Sequence, residues 1–82
     1  MKSKIRQYIL HNYLFSENEA DLADDVSFLE SGLIDSTGMM EVIFFVEESF
    51  DIKVEDEEMV PENLDSVNNL VTYISRKVDG AA

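Results

Sequence analysis

An 82-residue chain of 9.4 kDa has room for one small domain. Its 6 Lys and Arg stand against 18 Asp and Glu, a formal charge of −12, yet 45% of its residues are hydrophobic, too many for a disordered acidic tail. The absence of cysteine excludes a disulfide scaffold, a thiolate metal site and a protein-borne thiol nucleophile, and no apolar run approaches the ~20 residues that cross a bilayer.

The opening MKSKIRQYILHNYLF is basic and then apolar, but His11 and Asn12 interrupt it and no small-residue cleavage site follows. It reads as a first helix over residues 3–15, with Ile5, Tyr8, Ile9 and Tyr13 at three- and four-residue steps, and the chain reads as a cytoplasmic domain. Residues 16–35 form a long polar connection with two Ser-x-x-Glu capping boxes, Ser16 to Glu19 and Ser27 to Glu30. The second is expected to start a single turn that Gly32 stops, anchored by a buried Phe28 and Leu29. A connection this long is uncommon in a compact domain and is often functional.

Asp35-Ser36 opens the strongest helix, which runs to Phe50 with Met39, Val42, Ile43, Val46 and Phe50 on one apolar stripe. Opposite the stripe lie Glu41, Phe44 and Glu48, flanked by Met40 and Glu47, so Phe44 points away from the core between two glutamates. Residues 51–64 are acidic and carry Pro61, giving only a short, irregular turn around Met59. Asp65 or Ser66 caps a last helix, whose inner face is Val67, Leu70, Val71, Ile74 and Val78 and which Gly80 ends. Strand alternation is absent. The fold class is therefore all-α, a small bundle of three main helices and one short one in a single domain over residues 1–82.

Residues 16–65 hold seventeen acids and one base, Lys53, a net −16, whereas residues 1–15 hold Lys2, Lys4 and Arg6 and no acid. Such a surface repels nucleic acid and anionic membranes; basic protein patches are its natural counterpart. Catalytic chemistry finds little support. The single histidine, His11, falls on the polar side of the first helix with Lys4 and Gln7, so no zinc site can be assembled. A calcium loop started at Asp51 fails because Lys53 stands at its third position and Asp56 where its glycine belongs. With three glycines, Gly32, Gly38 and Gly80, no phosphate-cradling loop is available either. The chain is expected not to be an enzyme.

Asp-Ser before an apolar helix is ordinarily a cap. Here, with Asp35 as cap, Ser36 falls in the first turn after a long loop, where the amides and the positive end of the helix dipole favour an anionic group on its hydroxyl. No neighbouring base is available to activate it, so an outside enzyme would attach such a group.

Phe28-Leu29-Glu30-Ser31-Gly32-Leu33-Ile34-Asp35-Ser36, the acidic-apolar helix ending Glu47-Glu48-Ser49-Phe50-Asp51, and the closing Leu70-Val71-Thr72-Tyr73-Ile74 together resemble the acyl carrier protein family, which includes peptidyl and D-alanyl carriers. The similarity spans nearly the whole chain. The resemblance implies that Ser36, flanked by Asp35 and Thr37, receives 4′-phosphopantetheine from coenzyme A through a phosphopantetheinyl transferase. The thiol of that arm then holds an acyl or aminoacyl group as a thioester, which would explain how a cysteine-free chain serves thiol chemistry. It implies further partners: an ATP-dependent adenylating ligase, and acyltransferases or synthases whose basic patches dock on the second helix. On this chain the charge contacts would be Glu41, Glu47 and Glu48 and the apolar contacts Met40 and Phe44. An acyl pocket would be lined by Phe28, Ile43, Val46, Met59, Leu64 and Val67.

The chain departs from the fatty-acid type, which reads Asp-Ser-Leu where this one reads Asp35-Ser36-Thr37-Gly38. That pattern is closer to peptidyl, D-alanyl and freestanding specialised carriers, and with the bulky Phe44 and Phe45 it points away from long fatty acids. The expected function is a monomeric carrier in a specialised acyl-transfer or biosynthetic pathway. The alternatives are an acidic interaction module without a prosthetic group and, more remotely, a calcium-responsive acidic bundle.

Overall fold

A computed structural model describes residues 1–80. Its helices are α1 (Lys2–Ile9), α2 (Ser36–Phe50), α3 (Pro61–Leu64) and α4 (Val67–Ser75), with single 3₁₀ turns at Glu19–Asp21 and Asp56–Glu58. Helix α1 runs on into a wider π-type turn, Leu10–Leu14, and α4 into another, Arg76–Gly80. No strand occurs among the described residues, so the chain is an all-α bundle of three main helices and one short one, as its periodicity predicts. None of the described helices is long and apolar enough to cross a membrane.

The three main helices lie where their apolar stripes put them, whereas the short one forms at Pro61–Leu64, just after Met59 rather than around it. In α1, Ile5 and Ile9 are buried, and so is Leu10, which the spacing argument passed over because it stands beside Ile9 rather than a turn away. The wider turn after Ile9 brings Leu10 inward, and the amides of Phe15 and Ser16 both donate to its carbonyl. Phe15 itself closes the segment in the left-handed region at φ +51°. Tyr8 and Tyr13 are half-buried and face α2, where the Tyr8 ring stacks on Phe45 with centroids 4.0 Å apart. In α2 the stripe Met39, Val42, Ile43 and Val46 is buried, while Phe50 is half-buried and meets Phe45 edge-on.

Helix α4 buries Val67, Leu70 and Ile74, but Tyr73 completes the inner face in place of Val78. The wider turn from Arg76 shifts the helical register, and Val78 is left 48% exposed. Burying Tyr73 is tolerable because its hydroxyl donates to Glu58 at 3.1 Å. Glu58 also accepts from Lys77 at 2.9 Å, and this hydrogen bond is the main reason its carboxyl stays below the usual carboxylate range.

The long connection before α2 is held by contacts far away in sequence. Arg6 donates to the Glu19 carboxylate at 2.9 Å, to the Glu19 and Leu22 carbonyls and to Asp24, and Lys2 also pairs with Asp24. Further on, Phe28 N–H donates to the Asp65 carbonyl at 2.8 Å, and Asn68 N–H to the Asp24 carbonyl at 3.0 Å. Ser27 Oγ and Leu29 N–H both donate to the Asp65 carboxylate. Asp65 is therefore occupied by the connection, and Ser66 alone caps α4, its Oγ accepting from Asn69 N–H at 3.0 Å.

The two expected capping boxes fare differently. Ser27 Oγ accepts from Glu30 N–H at 3.1 Å and Gly32 turns the chain at φ +77°, so the second turn forms around a buried Phe28. Leu29, expected to be buried with it, is 41% exposed, because the turn that sinks Phe28 points the next residue outward. Ser16 does not cap Glu19; Asn18 caps that turn, while Ser16 Oγ donates to Asp21. A further box, which no Ser-x-x-Glu pattern announces, forms in the acidic stretch between Glu55 and Glu58.

Candidate functional site

Ser36 is the first residue of α2. Asp35 precedes it in extended backbone, and its Oδ1 accepts from Gly38 N–H at 2.7 Å. That cap leaves the amides of Ser36 and Thr37 without intrahelical acceptors at the positive end of a 15-residue helix. Ser36 and Thr37 are both exposed, and the Ser36 hydroxyl makes no hydrogen bond among the described residues. Among the described residues no histidine or other base is hydrogen-bonded to it.

The first turn of α2 is fixed from three sides. Asp35 holds the Gly38 amide, and the Tyr13 hydroxyl donates to the Gly38 carbonyl at 3.2 Å. The third side is packing: a Cβ on Gly38 would stand 2.9 Å from Ile34 Cγ2, 3.3 Å from Asp35 Oδ1 and 3.4 Å from the Tyr13 ring. Gly38 is thus closely packed, with no room for a side chain. Burial raises the Tyr13 phenol well above its usual range, with Tyr8 and the carboxylates of Glu41 and Asp35 adding to it, so this hydroxyl stays a proton donor.

Beside Ser36 lies a cavity of about 210 Å³, lined by Leu29, Met39, Met40, Ile43, Met59 and Leu64, with Val60 and Pro61 at its side and Ser36 and Asp65 its only polar side chains. Of the residues expected to line a pocket, Ile43, Met59 and Leu64 do so. Phe28, Val46 and Val67 do not; they are fully enclosed in the core, Phe28 drawn in by its bond to Asp65. Leu29, Met39 and Pro61 complete the lining, and no spacing in the sequence could have announced them, because the cavity is made by segments 29, 36–43 and 59–65 meeting in space.

The outward face of α2 is as the helical wheel places it. Phe44 is 59% exposed, Met40 45%, and Glu41 and Glu48 stand in solvent beside them. Glu47 is turned inward: it is half-buried, and its Oε2 accepts from Val54 N–H at 2.9 Å, steadying the chain after α2. The outward charge is therefore carried by Glu41 and Glu48. No group of three or more His, Cys, Asp or Glu side chains among the described residues is placed to hold a metal ion. No protein-family model matches the chain.

Proposed function

We propose that the chain is a carrier protein of the acyl carrier type, with Ser36 as the attachment point of a 4′-phosphopantetheine arm. The observation that carries the reading is an exposed serine hydroxyl, free of partners, in the first turn of an acidic helix and at the mouth of an apolar cavity. The residues fit the group. The amides of Ser36 and Thr37 and the helix dipole favour a phosphodiester on that oxygen, and the cap by Asp35 with the Tyr13–Gly38 bond holds the turn in place. The arm would supply the thiol that holds an acyl group as a thioester.

Since no described base touches Ser36, the transferase would take its proton as Oγ bonded to the β-phosphorus of coenzyme A and 3′,5′-adenosine bisphosphate left. Docking would use Met40 and Phe44, ringed by Glu41 and Glu48, against basic patches of that transferase, of an adenylating ligase and of acyltransferases or synthases. The setting would be cytoplasmic and the carrier a monomer, with no part in catalysis itself.

Incubation with coenzyme A and a broad-specificity phosphopantetheinyl transferase tests the proposal by intact mass. One phosphopantetheine should be gained by the natural chain and none by Ser36→Ala; a chain that stays bare, or a gain that persists in Ser36→Ala, ends it. The exposed Phe44 equally favours a second reading, an acidic interaction module without a prosthetic group. That reading requires partner binding that survives Ser36→Ala and is lost in Phe44→Ala.

A further inference from the structure

Phe15 is the most exposed large hydrophobic side chain among the described residues, 85% accessible, and it ends the first helical segment in the left-handed region at φ +51°. Glycine or asparagine closes a helix there readily, whereas a bulky side chain is disfavoured in that region. The cap therefore does not explain the phenylalanine, and neither does the core, which its ring does not enter.

Next to it in the chain, Leu14 lines an open groove together with Leu22, Val26 and Leu33 and the methyls of Ala20 and Ala23. The polar side chains of the groove are Ser31 and Asp21. Ser31 Oγ donates to the Phe28 carbonyl and accepts from Leu33 N–H, and Asp21 accepts from Ser16 Oγ while remaining exposed. None of the lining residues lies beyond Leu33, so this surface is separate from Met40 and Phe44 on α2.

The charge around the groove has one sign. Residues 16–35 carry seven acids and no base. Lys2 and Arg6 pair with Glu19 and Asp24, which leaves Glu17, Asp21, Asp25, Glu30 and Asp35 without a cation among the described residues. Such a surround repels nucleic acid and anionic lipid, and it repels a second copy of a chain that carries −12. An occupant that suits it is apolar and cationic together: apolar side chains for the groove, cations for the acids and for the face of the Phe15 ring.

We infer that the groove and Phe15 form a docking surface for a protein segment whose apolar side chains are flanked by Lys or Arg. Phe15 is its aromatic anchor, and the surrounding acids set encounter and orientation. The inference is independent of any arm on Ser36.

The probe is a short amphipathic Leu/Lys peptide, with its Leu/Glu counterpart as control, titrated into the full chain and followed by the methyl resonances of Leu14, Ala20, Ala23, Val26 and Leu33. The Leu/Lys peptide should shift them saturably, with an affinity that falls as salt is added, and the Leu/Glu peptide should not. Phe15→Gly should weaken this binding roughly tenfold or more, yet melt at or above the temperature of the natural chain, because glycine accepts the left-handed backbone. Ala23→Arg, which puts a bulky cation into the groove, should weaken it independently.

Peptide shifts confined to α2, an equal response to the Leu/Glu peptide, or binding that Phe15→Gly leaves intact overturns the inference. So does a Phe15→Gly chain that melts lower than the natural one, since Phe15 would then serve the fold. Methyls that move when the protein alone is diluted would place a second copy on the groove and overturn it as well. Ser36→Ala should bind the peptide as the natural chain does. Should Ser36 refuse the arm while the peptide still binds here, the carrier reading falls and the docking surface stands; should the arm go on while the peptide leaves these methyls unmoved, the reverse holds.

Discussion

Replacing Gly38 with alanine pits two effects of similar size against each other, and the structure decides the sign. Intrinsic propensity favours alanine over glycine inside a helix by about 1 kcal/mol. Against this, the new methyl would come 2.9 Å from Cγ2 of Ile34, a branch carbon on a fully buried side chain that cannot swing away as the tip of a long one could. The same methyl would press on the capping oxygen of Asp35 at 3.3 Å and on the Tyr13 ring at 3.4 Å. Overpacking a filled site costs ~1–3 kcal/mol, and disturbing a cap about 1 kcal/mol more. The net is a loss of about 1–3 kcal/mol, which for a domain of this size lowers the melting temperature by roughly 5–20 °C. Paired urea and thermal melts of the natural chain and Gly38→Ala measure it. A variant as stable as the natural chain, or more so, would refute the claim that this turn is closely packed and return Gly38 to the status of an ordinary helix glycine.

Arg6→Ala should destabilise the fold by about 1–3 kcal/mol, because it strips charge-assisted bonds from the connection, and Arg6→Lys should not restore it, because one ammonium cannot reach Glu19, Leu22 and Asp24 together; amide exchange should quicken around residues 19–24. Hydrogen bonding to Lys2, and then to Arg6, holds the Asp24 carboxyl below its usual range. A carboxyl lowered by folding stabilises above its unfolded pKa of about 4 and loses that effect as pH falls through the lower folded value, so the stability gap between the natural chain and Asp24→Asn should be full at neutral pH and shrink in acid. A gap independent of pH would mean that the pair contributes nothing. With a net −16 over residues 16–65, added salt or divalent cations should raise the melting temperature at neutral pH, and a melt insensitive to both would contradict the repulsion. Tyr73→Phe should cost about 0.5–1.5 kcal/mol in a denaturant titration by removing the bond to Glu58.

How much of this was legible in the sequence depended on distance along the chain. The limits of α2, its buried stripe and the outward Phe44 follow from a cap, a 3.6-residue period and nothing else, and the structure has them where the pattern does. Where helix geometry departs from that period the pattern misplaces side chains: the wider turns after Ile9 and Ser75 bring Leu10 in and leave Val78 out. Asp65 and Ser66 are equally good caps by type, and only the arrival of Ser27 and Leu29, more than thirty residues away, assigns them different tasks. Gly38 illustrates the same limit, since propensity sees a missing side chain whereas packing shows why one is missing. Ser36 could be singled out from its cap and its loop, but the cavity beside it could not, because three separated segments make it.

The stitching of residues 24–29 to residues 65 and 68 sets an order of events during synthesis. Backbone partners for the lead-in to Ser36 are not made until the chain is translated past Asn68, and the helix that follows must also clear the ribosome to dock. On the proposed carrier function, a nascent chain halted before Asn68 should therefore be a poor transferase substrate, because the lead-in to Ser36 lacks those partners.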